Sequence, residues 1–211
     1  NVPDVPATDL PAADPTLWRK KFNIPGDHLI FIYQGGLFPG RRIEQLIGVF
    51  AAAKPDRHVV FMGYGELEGI VRVAAARHAN IHFAPAVAPA DVLRHTAGAD
   101  VGLVGVANVC LSYYYSLPNK LFEFVLAGIP ALMPSYPEMV RATQGDKCGW
   151  VVGEKDADWL AAVSGLTPVQ AATGKLAART AGARLSWHQE AGKLKKLYID
   201  ILGFGGARST P

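Results

Sequence analysis

The chain has 211 residues, half of them in the hydrophobic set, with 18% charged residues and a formal charge of +3. It can bury one substantial core. The mild, dispersed positive charge fits a small phosphorylated ligand at least as well as a polyanion groove, and no nucleic-acid partner is expected. No apolar run is long enough to cross a bilayer, and the start lacks the basic-then-apolar order of a secretory signal.

Cys110 and Cys148 follow no metal-ligand spacing and do not by themselves establish a disulfide. A reduced, cytoplasmic protein is therefore expected, with no metal.

Pro3, Pro6, Pro11, Pro15 and Pro25 punctuate the first 25 residues, which suit a connector followed by a short helix around residues 16–22. From His28 onward, short apolar runs alternate with amphipathic segments, the pattern of βα units on a parallel sheet. Strands are expected over 29–33, 58–62, 81–83, 101–104, 131–133 and 150–152. Helices are expected over 41–53, where Ile43, Leu46, Ile47 and Phe50 recur at helical spacing, and over 66–77, 89–96 and 118–127. Two further helices follow over 157–166 and 168–184. A last one should turn Trp187, Ala191, Leu194, Tyr198 and Ile201 inward and Lys193, Lys195 and Lys196 outward. The fold class is thus α/β, a doubly wound parallel sheet of Rossmann-like type over residues 26–202, with a frayed tail over 203–211.

The segment Gln34-Gly35-Gly36-Leu37-Phe38-Pro39-Gly40-Arg41-Arg42 joins the first strand to the helix after it, where open α/β sheets admit phosphates. It is neither a Gly-x-Gly-x-x-Gly fingerprint nor a Walker loop, and turn geometry alone also explains its glycines. Two cations near a helix start oppose the helix dipole unless an anion offsets them. Solvated side chains, or a salt bridge from Arg42 to an acid, are the plainer alternative. Gly63-Tyr64-Gly65-Glu66 reads as a βα turn that needs positive φ.

In the helix opened by Pro118 and stopped at Gly128-Ile129-Pro130, Asn119, Glu123 and Ala127 share one stripe beside Lys120, and the other positions are apolar. An acid on an otherwise apolar helix needs a partner. One reading pairs it with Lys120, a helix pair that contributes only about 0.2–0.5 kcal/mol. The other has the helix start facing an anion while Glu123 accepts hydrogen bonds from hydroxyls of the same ligand.

Pro118-Asn119-Lys120-Leu121-Phe122-Glu123-Phe124-x-x-Ala127-Gly128-x-Pro130 resembles the donor-site helix of retaining glycosyltransferases of the GT-B fold, particularly the family 4 group. The resemblance implies that this is the C-terminal half of such an enzyme, whose N-terminal acceptor half lies outside the sequence. It also implies a nucleoside-diphosphate sugar of UDP or GDP type as donor and a saccharide or lipid-linked glycoconjugate as acceptor. Polysaccharide synthesis in the cytoplasm, with peripheral association of the full-length protein at the inner face of the membrane as an option, follows from the same likeness.

The site implied by the resemblance comprises Gly35, Gly36, Arg41, Tyr115, Pro118, Asn119, Lys120, Leu121 and Glu123. Glu123 would hold the ribose, and Arg41, with the helix start, would stabilise the departing diphosphate as the catalytic group without a metal. Residues 84–88 would pass beside the nucleobase. Where the family often carries Glu-x7-Glu, this chain has Tyr115 eight positions before Glu123. Tyr113, Tyr114 and Tyr115 either pack under their loop or form the sugar-side wall. Pro137-Glu138-Met139 resembles the family's segment after the last donor-site strand, and Glu138, at a helix start, is read as a cap. None of the six histidines shows metal-like pairing, and none is assigned chemistry. A non-catalytic nucleotide-binding scaffold and a sugar-nucleotide epimerase are the alternatives.

Overall fold

In the computed structural model, which describes residues 14–143, 147–182 and 187–202, all six expected strands form. They are β1 (Leu29–Gly36), β2 (Arg57–Tyr64), β3 (Ile81–Pro85), β4 (Val101–Leu103), β5 (Ala131–Pro134) and β6 (Gly149–Val152). Every neighbouring pair is parallel, in the order β3-β2-β1-β4-β5-β6. The order reverses between β1 and β4, and open α/β sheets bind ligands beyond the carboxyl ends of the strands at such a switch point. Residues 1–13 of the expected connector and the expected tail over 203–211 lie outside the described residues.

The period of two along a strand divides the core. Leu29, Phe31 and Tyr33 face one layer with Val59 and Phe61, covered by α2 (Ile43–Ala52), α3 (Glu68–Arg77) and α8 (Asp156–Gly165). Ile30, Ile32, Val60 and Met62 face the other, covered by α1 (Leu17–Phe22), α6 (Asn119–Leu126) and α7 (Pro137–Thr143). A sheet covered on both faces accounts for the nearly unbroken apolar strands. Trp18 of α1 is fully buried and donates its indole N–H to the His95 carbonyl at 2.7 Å, so this short helix is part of the packed body.

The helix ends show what the sequence means locally. Helix α6 closes in a Schellman motif: the Ile129 N–H reaches the Phe124 carbonyl and the Gly128 N–H the Val125 carbonyl, both at 3.0 Å, with Gly128 at φ +72°. Helix α2 begins at Ile43 rather than at residue 41, because Arg42 is its N-cap with a left-handed φ of +54°. A short 3-10 turn (Pro89–Asp91) leads into α4 (Val92–Thr96). The segment expected to be loop around the tyrosines holds one helical turn, α5 (Leu111–Tyr114). Helix α9 (Pro168–Gly182) lays Ala178 and Ala181 against Val125 of α6.

The expectation for the last helix, α10 (Trp187–Leu202), is corrected. Trp187, Leu194, Tyr198 and Ile201 are exposed rather than inward-facing, and Ala191 is half-buried. The periodicity marks a real apolar stripe, but other helices already cover both faces of the sheet. No helix among the described residues is long and apolar enough to cross a membrane.

Candidate functional site

The carboxyl ends of β1 and β2 approach each other main chain to main chain. Gly35 pairs in register with Gly63, and a Cβ on Gly63 would stand 1.9 Å from the Gly35 carbonyl oxygen. Gly65, at φ +147°, lies close to Leu37, where a Cβ would stand 2.5 Å from the carbonyl oxygen. The Gly-Tyr-Gly turn is therefore required by backbone geometry and close packing. The two turns frame a cavity of about 180 Å3 lined by Gln34, Gly35, Met62, Gly63, Tyr64 and Glu123, with Ala86 and Val87 of the segment after β3 and Val92 of α4.

Glu123 reaches this cavity from the polar stripe of α6. Its Oε2 accepts a 2.5 Å hydrogen bond from Gln34 Nε2, and Oε1 has no hydrogen-bond partner among the described residues. The Glu123–Lys120 helix pair does not form among the described residues. Lys120 instead sets its ammonium 3.8 Å from the centre of the Tyr33 ring, close to Gly35. Burial first, and then the Arg41 charge, draw the Lys120 ammonium down to about 7, against the opposing pull of Glu123. Burial also pushes the Tyr33 phenol up, and its hydroxyl donates to the Gly36 carbonyl at 2.8 Å.

The two arginines diverge. Arg41 is half-buried, lies 5.0 Å from the centre of the Tyr113 ring and is near enough to Lys120 for its charge to act on it. Arg42 is buried and tied to main chain: Nε donates to the Val106 carbonyl at 3.2 Å and a terminal nitrogen to the Glu154 carbonyl at 2.9 Å. It makes no salt bridge to an acid among the described residues. It is a structural clamp.

The remaining site residues fall on both sides of that division. Gly36 sits under Phe38, whose ring a Cβ would strike. Pro118 is the N-cap of α6, with no side-chain cap, so the first N–H groups of the helix beside Asn119 and Lys120 stay open. Asn119 is exposed. Leu121 turns its side chain into the core, and its N–H is given to the Pro118 carbonyl at 3.1 Å.

The tyrosines separate. Tyr113 stacks by Arg41, Tyr114 packs on Tyr136, and Tyr115 is exposed with its ring edge-on to Tyr114. Glu138 bonds Arg141 within its own helix, with no backbone cap among the described contacts. Among the described residues, no three His, Cys, Asp or Glu side chains are placed to hold a metal ion together.

Sequence reasoning missed two features. Gln34 was readable only as part of a glycine turn, yet the alternation that buries Ile30 and Ile32 on the α6 side puts Gln34 there too. At the opposite end of the sheet, His28, His58 and His82 form a hydrogen-bonded chain, Nδ1···Nε2 at 2.9 Å and 3.0 Å, with Phe22 stacked on His82. The signal was one histidine at the start of each of three neighbouring strands.

No protein-family model matches the chain, and no curated protein matches it. Solved structures do. Sucrose-phosphate synthase from Thermosynechococcus elongatus superposes with a TM-score of 0.76 at 18% identity, over 97% of this chain and 53% of that one. WaaG, a glycosyltransferase involved in lipopolysaccharide biosynthesis, gives 0.67 at 17% identity over 86% and 50%. HepE of Anabaena, solved with UDP, gives 0.67 at 14% identity over 86% and 52%. The chain spans about half the length of each. Its fold is that of the C-terminal half of GT-B glycosyltransferases.

Proposed function

We propose that this domain binds the nucleoside-diphosphate sugar of a retaining glycosyltransferase, for hexosyl transfer to a saccharide or glycoconjugate held by the rest of the protein. The observation that carries this reading is Glu123, which lines a cavity shared with Gly35 and whose Oε1 has no hydrogen-bond partner among the described residues, with the Lys120 ammonium beside that glycine and within reach of the Arg41 charge. A carboxylate in the cavity, with two cations and open helix N–H groups near its Gly35 end, matches a ribose followed by a diphosphate. The apolar walls at Met62, Val87 and Val92 suit the face of a base. The matched HepE structure holds UDP, and a second one holds UDP and glucose, which supports a nucleotide-sugar here.

Mechanistically, the departing diphosphate gains negative charge as the glycosidic bond breaks. Arg41, Lys120 and the α6 N-terminus present fixed positive potential to it, which lowers that barrier. Any group that positions the acceptor would come from outside the described residues. Calorimetric titration of UDP and GDP tests the assignment: Glu123→Ala and Arg41→Ala should each weaken the nucleotide that binds by about 1.5–3 kcal/mol. Unchanged affinity in both variants would reject it.

A further inference from the structure

Gln34 is 2% exposed, on β1, and joins two helices through one amide. A carboxylate only accepts hydrogen bonds, so the amide must present Nε2 to Glu123 Oε2, at 2.5 Å. That leaves the amide oxygen on the α4 side, where the hydroxyl of Thr96 bonds it. Thr96 is fully buried and also reaches the Val92 carbonyl at 2.7 Å, so its rotamer is fixed within α4. The chain Thr96–Gln34–Glu123 thus runs from α4 across the end of β1 to α6.

The chemistry of this link is specific. A lysine or arginine at position 34 would neutralise the carboxylate. A neutral amide orients it, occupies one oxygen and leaves its charge intact. The other oxygen is a strong acceptor with no protein donor among the described residues, on a side chain that lines the cavity.

We infer that Gln34 is a positioning residue that makes the site selective for ribonucleotides, because it aims Glu123 Oε1 at the ribose hydroxyls. This rests on the nucleotide-binding reading proposed above. A nucleotide lacking the hydroxyl that Oε1 accepts leaves that charged acceptor unpaired, and a site built to bond a hydroxyl discriminates strongly against its loss.

The test is calorimetric titration of the 211-residue chain with UDP and GDP, each beside its 2′-deoxy and 3′-deoxy counterpart. The wild type should bind a ribonucleotide about tenfold or more tightly than at least one deoxy form. Gln34→Leu should bring that ratio toward one, and a cooperative thermal melt shows that the variant is folded. Thr96→Val, which keeps the amide and removes its outer anchor, should lower the ratio part of the way, and it serves as the second variant if Gln34→Leu does not fold.

If neither nucleotide binds the wild type, the proposed function falls and this inference with it. If nucleotides bind but Gln34→Leu weakens ribo and deoxy forms by the same factor, or keeps the ribose preference, Gln34 is a packing residue and this inference alone is overturned. The same holds if Thr96→Val, used in its place, leaves the ratio untouched.

Discussion

Lys120 holds its ammonium 3.8 Å from the centre of the Tyr33 ring and forms no ion pair with Glu123, three residues on in the same helix. Burial and the Arg41 charge bring this lysine to about 7, whereas an unfolded lysine titrates near 10.4. Between these values the unfolded chain holds a proton that the folded one releases, so this lysine costs stability increasingly as pH falls toward 7, and by a constant amount below it. Lys120→Met should therefore raise Tm at pH 7, with a smaller gain near pH 10, by about 2–4 °C per kcal/mol regained. The same variant should lose about tenfold or more in nucleotide-sugar affinity. Thermal melts at both pH values decide this, and a Tm that falls at pH 7 would show that the ammonium stabilises the fold.

A binding experiment reads the same group from the other side. An anion beside Lys120 favours its charged form and raises its pKa, so the complex takes up a proton. UDP-glucose suits the measurement because its diphosphate is a diester with no proton that titrates near neutrality. Its affinity should be highest below about pH 7 and fall with rising pH by at most about tenfold per unit, until the pKa of the complex is passed. In Lys120→Met the profile should be flat. A wild-type affinity independent of pH from about 6 to about 9 would place the diphosphate away from Lys120.

Much of this arrangement was legible in the chain itself. Short apolar runs alternating with amphipathic segments located six parallel strands, and the Gly128-Ile129-Pro130 stop, closed by two 3.0 Å bonds, located the end of α6. Local patterns stop being informative where two distant elements meet. Glu123 was seen to need a partner, but Gln34, 89 residues earlier, becomes that partner only because α6 packs on the end of β1. The pairing of His28, His58 and His82 depends on the order β3-β2-β1, which no single strand encodes. The stripe on α10 was read correctly as apolar and wrongly as buried, since an amphipathic period says which side is apolar and not what covers it.

Arg41 and Arg42 adjoin in sequence and should separate cleanly in experiment. Arg41 is half-buried beside Tyr113, and its side chain makes no hydrogen bond or ion pair among the described residues, so Arg41→Ala should weaken nucleotide binding and leave Tm nearly unchanged. Arg42→Ala removes two bonds from a buried guanidinium to the carbonyls of Val106 and Glu154, as well as its contact with Trp159. That loss should cost about 3 kcal/mol, or roughly 6–12 °C in Tm. Melting curves and titrations of the two variants check the division. A larger Tm loss in Arg41→Ala than in Arg42→Ala would reverse the assignment.

The histidine chain should make the fold sensitive to acid. Burial first, and then the neighbouring rings, hold His58 and His82 down at about 4; Arg19 adds to this at His58, while Asp56 opposes it. Unfolded histidines titrate near 6.5. Their folded values lie lower, so the stability they contribute is fully present above about pH 6.5 and drains away as pH falls toward about 4. Replacing the central ring by Phe keeps an aromatic between His28 and His82, whose rings lie 5.1 Å and 5.3 Å from it, and removes its titration. His58→Phe should accordingly melt somewhat lower than the wild type at neutral pH, because it loses two hydrogen bonds, yet lose less Tm between about pH 6.5 and about pH 4.5. Tm measured against pH for both proteins gives the answer, and parallel acid limbs would mean that the drop arises from other groups.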